Sequence, residues 1–339
     1  MSSIRKSGGY WQENDHNWLE AVFSRFIAAA MLRQAAGGSH SSGANCGILT
    51  PMTLQECRRF YAEEIRLAGS VKSAVLVEAF ARVPREKFLG PGPWHVRSMD
   101  LALGDSAYLR SEDADPRHVY HNVPIALDTA RDLNNGQPGT LARWIDELEV
   151  RPADRVYHLG CGVGYYTAVL AEVVGAGGQV VASEIDEKLA ARARENLAGY
   201  PNVTVHQGDG AVLDPGECDA MLINAGVTHP HPRWLERLRP SGRLLLPLTV
   251  PLAPNVGKGM MVKITREPAG FAARVATFVA IYSCSSLRNS HVEALLGKAM
   301  ASGALFQLKS VRRDVHEPCD SCLVHSGELC LSSADPARD

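Results

Sequence analysis

Apolar residues in the middle of the chain occur in short runs that are separated by segments of helical periodicity. Residues 156–159 are mostly apolar and lead into a glycine-rich turn, after which apolar residues recur at helical spacing from 168 to 173. This order predicts a β-strand, a turn and an α-helix. Two further apolar runs, 179–183 and 203–206, follow at the spacing of alternating strands and helices. The pattern therefore predicts an α/β fold whose strands are parallel.

The segments that follow extend the predicted sheet and then reverse its direction. Residues 218–224 and 243–248 read as two strands, with a short helix at 234–238 between them. The runs 260–264 and 271–282 are joined by a short turn that contains Pro and Gly, which is typical of an antiparallel hairpin. The sequence thus predicts a parallel sheet that an antiparallel hairpin completes.

The amino-terminal third is predicted to be helical. Residues 1–50 read as an extension, with an amphipathic helix around 18–27 and a flexible Gly- and Ser-rich linker at 37–47. Packing of this helix against the rest of the protein is favoured over partner binding. Residues 53–89 predict two helices, the second of which ends at Val83 before a proline.

Composition and charge exclude few functions but support none that needs a strongly charged surface. The formal net charge is -2, so the sequence gives no electrostatic reason to expect nucleic acid or an anionic membrane as a partner. The sequence contains no apolar run of membrane-spanning length, and residues 26–32 lie too late to read as a secretory signal. We therefore expect a cytoplasmic protein. The eight cysteines are scattered, which favours reduced thiols.

The turn after the first strand of the sheet carries glycines at alternate positions, Gly160, Gly162 and Gly164. Glycine lets the backbone approach a nucleotide-like ligand and adopt positive φ, and the next helix directs its first amides towards that ligand. A dinucleotide fingerprint has its third glycine one position later, where this chain has Tyr165. The spacing therefore favours S-adenosylmethionine over NAD as the cofactor.

Acidic residues follow the next two predicted strands. Glu184 ends the second strand, where a carboxylate can bind the two hydroxyls of a ribose. Asp209, followed by Gly210, comes after the third strand and could accept a hydrogen bond from an adenine amino group. A glycine-rich turn that binds nothing is the alternative, but the two acidic companions favour a pocket for an adenosine-containing ligand.

Several segments resemble protein-L-isoaspartate O-methyltransferases. They include VPREKFLGPG at 83–92, YHNVPIALDTARDLNNGQP at 120–138, DRVYHLGCGVGYYTAVLAEVVG at 154–175 and NLAGYPNVTVHQGDG at 196–210, and the likeness covers roughly 53–247. The resemblance implies the class I methyltransferase fold, a Rossmann-like doubly wound sheet that is mostly parallel and carries an antiparallel hairpin. It also implies S-adenosylmethionine as cofactor, bound by the glycine loop, by Glu184 through the ribose and by Asp209 and Gly210 near the adenine.

Together these patterns divide the chain into four parts. They are an extension at 1–50, a helical and substrate-loop region at 51–150, the S-adenosylmethionine-binding domain at 151–285, and a helix with a tail at 286–339. The sequence gives no prediction of the oligomeric state.

The segment at 120–138 resembles the substrate loop of the family, and this predicted substrate loop departs from the family at one position. Where the family carries a serine before Gln-Pro, this chain has Gly136, which offers no hydroxyl. Activity on ordinary isoaspartyl peptides is therefore predicted to be weak or absent. Asn135 and Gln137 are the candidate catalytic residues, because their amides could donate hydrogen bonds to an acceptor carboxylate in place of the hydroxyl.

The function implied is an O-methyltransferase that acts on a carboxylate of a protein or peptide. A carboxylate is already ionised at neutral pH and needs no general base, so alignment and exclusion of water can suffice. A peptide natural product or a small molecule is the alternative acceptor. A non-catalytic module that binds the cofactor, with residues 1–46 as its docking element, is the alternative from another class.

Two sets of residues remain outside this assignment. Asn224 ends the predicted fourth strand, and a loop with His229 and His231 follows it, at the edge where substrate groups are expected. The two histidines are not predicted to bind a metal. In the tail, Cys319, Cys322, His325 and Cys330 have the spacing of a zinc knuckle. A small hairpin or a loose tail is favoured there, so no metal site is predicted.

Overall fold

The computed structural model describes residues 52–97, 108–327 and 329–336, all of which lie in the unit that begins at Met52. The predicted extension at 1–50, with its helix and linker, lies outside the described residues. None of the described helices has the length and apolar character required to cross a lipid bilayer.

Three helices open the described part of the chain. Helix α1 spans Leu54–Ala68, α2 spans Ala74–Arg82 and α3 spans Glu86–Leu89. Thr53 caps α1 in a capping box with Glu56, in which each side chain binds a backbone amide of the other residue. The prediction of two helices in this region is confirmed, and the short α3 follows the proline that separates it from α2.

Two small antiparallel ribbons connect these helices to the main sheet. Strand β1 (His95–Arg97) pairs with β2 (Tyr108–Arg110), and β3 (Ala126–Asp128) pairs with β4 (Leu133–Asn134). Helix α4 (Pro138–Glu147) follows, with proline in its first turn, where a missing amide hydrogen costs nothing. The segment predicted as the substrate loop, 120–138, therefore contains β3, β4 and the turn before α4.

The main sheet has ten strands in the order β13-β14-β12-β11-β10-β9-β8-β5-β6-β7. Its parallel part comprises β5 (Arg155–Leu159), β6 (Gln179–Glu184), β7 (Val203–Gln207) and β8 (Cys218–Ile223), which are connected by α5 (Tyr165–Val174) and α6 (Glu187–Asn196) where the sequence predicts helices or turns. Strand order reverses at β5, between β6 and β8, so the ends of these strands form a crevice there. The predicted doubly wound fold is confirmed.

The antiparallel part of the sheet is larger than the predicted hairpin. Its strands are β9 (Leu238–Ala253), β10 (Val256–Glu267), β11 (Gly270–Tyr282), β12 (Ser310–Arg312), β13 (Cys322–His325) and β14 (Cys330–Ser332), and its helices are α7 (Pro232–Arg237) and α8 (Ser290–Ala301). The tail supplies the last three strands. Strand β9 also begins earlier than predicted, because residues 239–242 bulge out between the pairs Cys218–Leu238 and Ala220–Arg243 instead of forming a separate turn.

Apolar side chains cover the sheet in two separate clusters. One cluster joins the sheet to α1, α2, α4 and α5, and nine of the ten residues of α5 are buried. The other joins it to α7 and α8 through residues such as Trp234 and Leu296, both fully buried. Burial on both faces explains the nearly continuous apolar runs of the central strands.

Candidate active site

The glycine loop lies between the end of β5 and the start of α5. Gly160, Gly162 and Gly164 have φ of 75°, 57° and 91°, a region that residues with side chains rarely adopt. A Cβ atom on Gly164 would lie 2.7 Å from Leu197 Cδ1, whereas one on Gly162 would meet nothing within 4 Å. The loop is therefore packed on its Gly164 side and open at Gly162.

Glu184, at the end of β6, is bonded directly to this loop. Its Oε2 accepts a hydrogen bond from the Gly162 amide at 2.8 Å, and its Oε1 accepts one from the Asp186 amide at 3.0 Å. The side chain is largely buried, with 8% of the residue exposed. Each carboxylate oxygen has a second lone pair, so both can still accept a hydroxyl group.

The end of β7, which leads to Asp209, lies beside the end of β6, which carries Glu184. The Asp209 carboxylate accepts a hydrogen bond from the Ala211 amide at 2.9 Å, and the carbonyl of Gly210 accepts one from the Tyr157 hydroxyl at 2.8 Å. Ser183 and Asp209 line one cleft, which has a volume of about 330 Å³. The structure thus brings the glycine loop, Glu184, Asp209 and Gly210 to one edge of the sheet.

Two ionisable groups near the loop are held neutral. Burial and the neighbouring Glu184 carboxylate raise the pKa of the Cys161 thiol, so this cysteine is protonated at neutral pH and is not a nucleophile. Burial lowers the pKa of His158, in β5, to about 4, so its imidazole is neutral there as well. Neither group adds charge to the crevice.

Asn224 follows β8 and lies against the glycine loop. Its amide donates a hydrogen bond to the Leu159 carbonyl at 2.9 Å, and a Cβ atom on Gly160 would lie 3.2 Å from its carbonyl oxygen. The side-chain Oδ1 is buried and has no hydrogen-bond partner among the described residues. The described residues therefore leave this buried acceptor unsatisfied.

The histidine loop after Asn224 has a local structural role. His231 is the N-cap of α7, and its Nδ1 accepts a hydrogen bond from the Arg233 amide at 3.1 Å. His229 Nδ1 lies 2.9 Å from the Thr228 hydroxyl. Capping of α7 accounts for His231 without any contact with a substrate.

Arg85 organises the predicted substrate loop from inside the protein. Its side chain is fully buried, and its guanidinium donates hydrogen bonds to the backbone carbonyls of Val119, His121 and Val123 at 2.7, 2.9 and 2.8 Å. The guanidinium also lies 3.3 Å from Asn135 Oδ1. One buried cation thus binds the backbone at 119–123 and contacts the side chain of Asn135.

Asn135 is anchored on one side of its amide only. Its Oδ1 accepts a hydrogen bond from the Ile125 amide at 2.9 Å, in addition to its contact with Arg85. Its Nδ2 is buried and has no partner among the described residues. An unpaired buried donor costs about 1–3 kcal/mol, so this group calls for an explanation beyond folding.

The turn at Gly136 is bonded to the helix that follows the glycine loop. The Tyr166 hydroxyl donates a hydrogen bond to the Gly136 carbonyl at 3.2 Å, and the Gly136 amide donates one to Asn134 Oδ1 at 2.9 Å. Gly136 has φ of 75°, and a Cβ atom there would lie 2.8 Å from Leu141 Cδ2. The backbone of this turn is therefore suited to glycine.

Gln137 is engaged at both ends of its amide. Its Nε2 donates a hydrogen bond to the Asn122 carbonyl, and its Oε1 accepts one from the Thr140 hydroxyl, each at 3.3 Å. These contacts connect Gln137 to the loop before it and to the first turn of α4. One Nε2 hydrogen remains after them.

A second connection joins the predicted substrate loop to the segment that follows Glu184. The Arg131 guanidinium forms an ion pair with Asp186 at 2.6 Å, two residues after Glu184. The Tyr282 hydroxyl, at the end of β11, donates a hydrogen bond to the Arg131 carbonyl. The ribbon of β3 and β4 therefore lies beside the crevice at the strand ends.

Sequence reasoning did not single out Arg85, Tyr166 or the pair of Arg131 and Asp186. Arg85, Tyr166 and Arg131 lie inside quoted motifs, but their partners are distant in sequence. A charged residue directly after a helix-ending Val-Pro pair was the available signal for Arg85. Nothing in the pattern marks a tyrosine of a buried helix as a contact of a distant turn.

A larger cleft, of about 980 Å³, lies elsewhere on the molecule. Lys87, Glu172, Tyr200 and Asn202 are among its lining residues, and Gln179 and Asn202 lie at or next to the amino-terminal ends of β6 and β7. Ligands of doubly wound sheets bind at the carboxyl ends of the strands. This cleft is therefore distinct from the crevice described above.

Comparison with known proteins identifies relatives for more than half of the chain. The family model described as Protein-L-isoaspartate(D-aspartate) O-methyltransferase (PCMT) matches residues 60–268. A protein-L-isoaspartate O-methyltransferase from Aeropyrum pernix is 32% identical over 202 residues, which are 58% of this chain and 68% of that protein. One from Ignicoccus hospitalis is 28% identical over 65% of this chain and 93% of its own length.

Solved structures show the same fold at lower identity. A protein-L-isoaspartate O-methyltransferase structure superposes with a TM-score of 0.54 at 20% identity, over 72% of this chain and 69% of that chain. A structure from Plasmodium falciparum, described as a β-aspartate methyltransferase in complex with S-adenosyl-L-homocysteine, has a TM-score of 0.50 at 15% identity. It covers 67% of this chain and 98% of its own. At these identities the two structures support the fold alone.

Proposed function

This chain belongs to the protein-L-isoaspartate(D-aspartate) O-methyltransferase family, and on that premise we propose that it methylates a carboxylate of a protein or peptide. The resemblance stated from the sequence motifs is thereby confirmed. The chain is an S-adenosylmethionine-dependent methyltransferase, and the isoaspartyl residue that gives the family its name is the first acceptor to test.

The residues at the strand ends fit the cofactor. S-adenosylmethionine supplies an electrophilic methyl group on a sulfonium, and its adenosine part presents two ribose hydroxyls and an adenine amino group. In our proposal Glu184 accepts the hydroxyls, and Asp209 with Gly210 forms the adenine side. The open position at Gly162 supports this assignment, because a side chain there would fill the space beside Glu184.

The observation that carries the proposal for the acceptor side is the hydrogen bond from Tyr166 to the Gly136 carbonyl. Tyr166 lies in the first turn of the helix that follows the glycine loop. This bond therefore fastens the turn at Gly136, which we propose as the acceptor turn, next to the glycine loop. A carboxylate held by that turn is ionised at neutral pH and needs no base. The chain's task is then to align an oxygen and to exclude water.

Within this turn we assign different roles to Asn135 and Gln137. In this proposal the unpaired Nδ2 of Asn135 donates a hydrogen bond to the acceptor carboxylate. The Oδ1 of Asn135 continues to accept its hydrogen bond from the Ile125 amide. Gln137 is a positioning residue, because both ends of its amide already bind neighbouring segments. Neither role requires Asn135 or Gln137 to gain or lose a proton.

The test compares two peptides that differ only in one linkage. Purified protein receives labelled S-adenosylmethionine with an isoaspartyl peptide or with the same sequence carrying ordinary aspartate, and cofactor binding is measured by calorimetry on the same sample. Transfer to either peptide that depends on the carboxylate supports the proposal. Cofactor binding without transfer to any protein or peptide carboxylate would contradict it.

A peptide natural product remains the second candidate acceptor, and Gly136 is the observation that favours it. With φ of 75° and Leu141 in contact, this position cannot take the family serine without strain. Low turnover of ordinary isoaspartyl peptides therefore stays a prediction. If the Gly136→Ser variant turned over isoaspartyl peptides faster than the wild type, the missing hydroxyl alone would limit the reaction and this second candidate would lose its support.

A further inference from the structure

Four metal-ligating side chains converge in the tail, away from the crevice. They are His316, in the loop after β12, Cys322 and His325, at the two ends of β13, and Cys330, at the start of β14. Their ligand atoms all lie within 4.8 Å of one another. His325 and Cys330 are paired across the hairpin, while a register shift in β13 after Cys322 changes the pairing on that side.

The spacing of these atoms suits a tetrahedral ion. Zinc bonds of about 2.0–2.3 Å to nitrogen and sulfur imply distances of about 3.3–3.8 Å between ligand atoms. The contact between Cys322 Sγ and His316 Nε2 is 3.5 Å, and the two imidazole rings have centroids 4.7 Å apart. Small movements of partly buried side chains would complete the coordination.

Contacts around the cluster orient its ligands. His316 Nδ1 lies 2.9 Å from the Asp314 carbonyl, so Nδ1 carries the hydrogen and the lone pair of Nε2 faces Cys322. Such a bond from the second ring nitrogen is typical of metal-binding histidines. His325 Nδ1 is buried and has no partner among the described residues, and Cys322 Sγ accepts a hydrogen bond from the Cys319 amide at 3.3 Å.

We propose that His316, Cys322, His325 and Cys330 bind one zinc ion. Binding releases one proton from each of the two thiols, and the resulting thiolates balance the charge of Zn²⁺. The proposal departs from the sequence expectation, which favoured a hairpin without metal and counted Cys319 with the cluster. The hairpin is present, but the fourth ligand is His316, and Cys319 is exposed beside it.

The site has a structural role, since four protein ligands leave no open coordination position. Strands β12, β11, β10, β9 and β8 lie between β14 and the cofactor strand β5. The hairpin packs Val324 and Leu331 into the cluster that includes α8, with 1% of each residue exposed. A zinc ion would join the loop at His316 to both strands of the hairpin and hold them on the sheet.

The experiment uses the full chain, purified under reducing conditions without chelators. Zinc content is measured by elemental analysis, and replacement by Co²⁺ gives a readout that is independent of activity, the absorption of thiolate-bound tetrahedral cobalt. His316→Gln is the main variant, because this residue lies on the rim of the cluster, and Cys322→Ser is the second. Cys319→Ser is the matched control.

We expect one zinc ion per chain in the wild type and in Cys319→Ser, with a thiolate–cobalt absorption band in both. His316→Gln and Cys322→Ser should lower the apparent zinc affinity by at least about 100-fold. A reduced wild-type protein with neither zinc nor a cobalt band would overturn the proposal. Loss of zinc in Cys319→Ser but not in His316→Gln would overturn the ligand set.

Discussion

The two sides of the crevice that we propose for the cofactor and for the acceptor are built in different ways. On the cofactor side, hydrogen bonds from backbone groups at the ends of adjacent strands hold the residues in place. An example is the bond from the Gly162 amide to Glu184. On the acceptor side, one buried side chain, Arg85, bonds to carbonyls of a segment that starts more than thirty residues later. The first side follows from local order along the chain, whereas the second depends on long-range contacts.

This difference predicts that the two sides can be damaged separately. Substitutions in the turn at Gly136 should then leave the glycine loop unaltered. Three of the four predictions below test that separation, and the prediction on His158 tests the strand that leads into the glycine loop. Each compares a variant with a control of the same chemical type.

Replacing Arg85 should have the largest effect. In Arg85→Lys a single ammonium replaces the planar fork that binds three carbonyls, so buried acceptors lose their partners. We expect the free energy of unfolding to fall by about 3 kcal/mol or more in urea titrations. Arg82→Lys, whose side chain is 55% exposed, is the control and should change little.

Methyl transfer should fall far more than cofactor affinity in Arg85→Lys, at a temperature at which the variant is folded. Calorimetry and labelled-methyl transfer on one sample measure both. An equal loss of cofactor affinity would show that Arg85 supports both sides and would break the comparison.

Glu184→Gln should affect the cofactor side alone. The amide retains one acceptor oxygen but presents hydrogens where the carboxylate would receive a ribose hydroxyl. We expect the cofactor affinity to fall about 100-fold, or nearly 3 kcal/mol, by calorimetry. Glu187→Gln, on the exposed face of α6, is the control. Unchanged affinity in Glu184→Gln would remove the ribose role.

Acid should lower the free energy of unfolding through His158, which lies in β5, the strand that leads into the glycine loop. The pKa of His158 is lowered to about 4 by burial, whereas an unfolded histidine has a pKa of about 6.5. Between these values the unfolded chain binds more protons, so the free energy of unfolding falls as the pH falls, by about 2 kcal/mol from about pH 7 to about pH 5. Urea titrations in a pH series measure this loss.

The pH dependence should become shallower in that window in His158→Gln. His206→Gln, an exposed position on β7, is the control and should retain the wild-type slope. Identical slopes in wild type and His158→Gln would mean that other groups cause the acid sensitivity.

Asn135→Asp should have the smallest effect and is the sharpest test of the acceptor side. The substitution keeps the oxygen that binds Ile125 and Arg85 but replaces the unpaired Nδ2 with a second oxygen, which repels a carboxylate. We expect kcat/KM to fall about tenfold, or about 1.4 kcal/mol, with unchanged cofactor affinity. Asn122→Asp is the control in the same loop. Unaltered turnover in Asn135→Asp would exclude a role for Nδ2.

The parts of this molecule that could be predicted from sequence are those fixed by near neighbours. The order of strand, glycine turn and helix at 156–173 predicts the fold, which is confirmed, and an edge for the cofactor, which stays a prediction. Glu184 and Asp209 lie at the carboxyl ends of the next two strands, as expected. The start of β9 was missed because a bulge at 239–242 has the same residues as a turn. Local rules would also have identified His231 as an N-cap, since Pro232 follows it.

The remainder depends on segments that meet only after folding. No spacing rule connects Arg85 with the carbonyls at 119–123, and none connects Tyr166 with Gly136. In the tail, the knuckle pattern pointed to Cys319, whereas the chain path brings His316 to the cluster. In both regions the residue types were visible in the sequence, but their partners were not.

The bond between Glu184 and the Gly162 amide has a thermodynamic consequence. The Gly162 amide is bonded to the Glu184 carboxylate, so a contact within the chain itself restrains the glycine loop. A flexible loop would have to be ordered during binding, and that entropy cost would be subtracted from the affinity. Preorganisation of this loop leaves more of the interaction energy with the cofactor available as affinity.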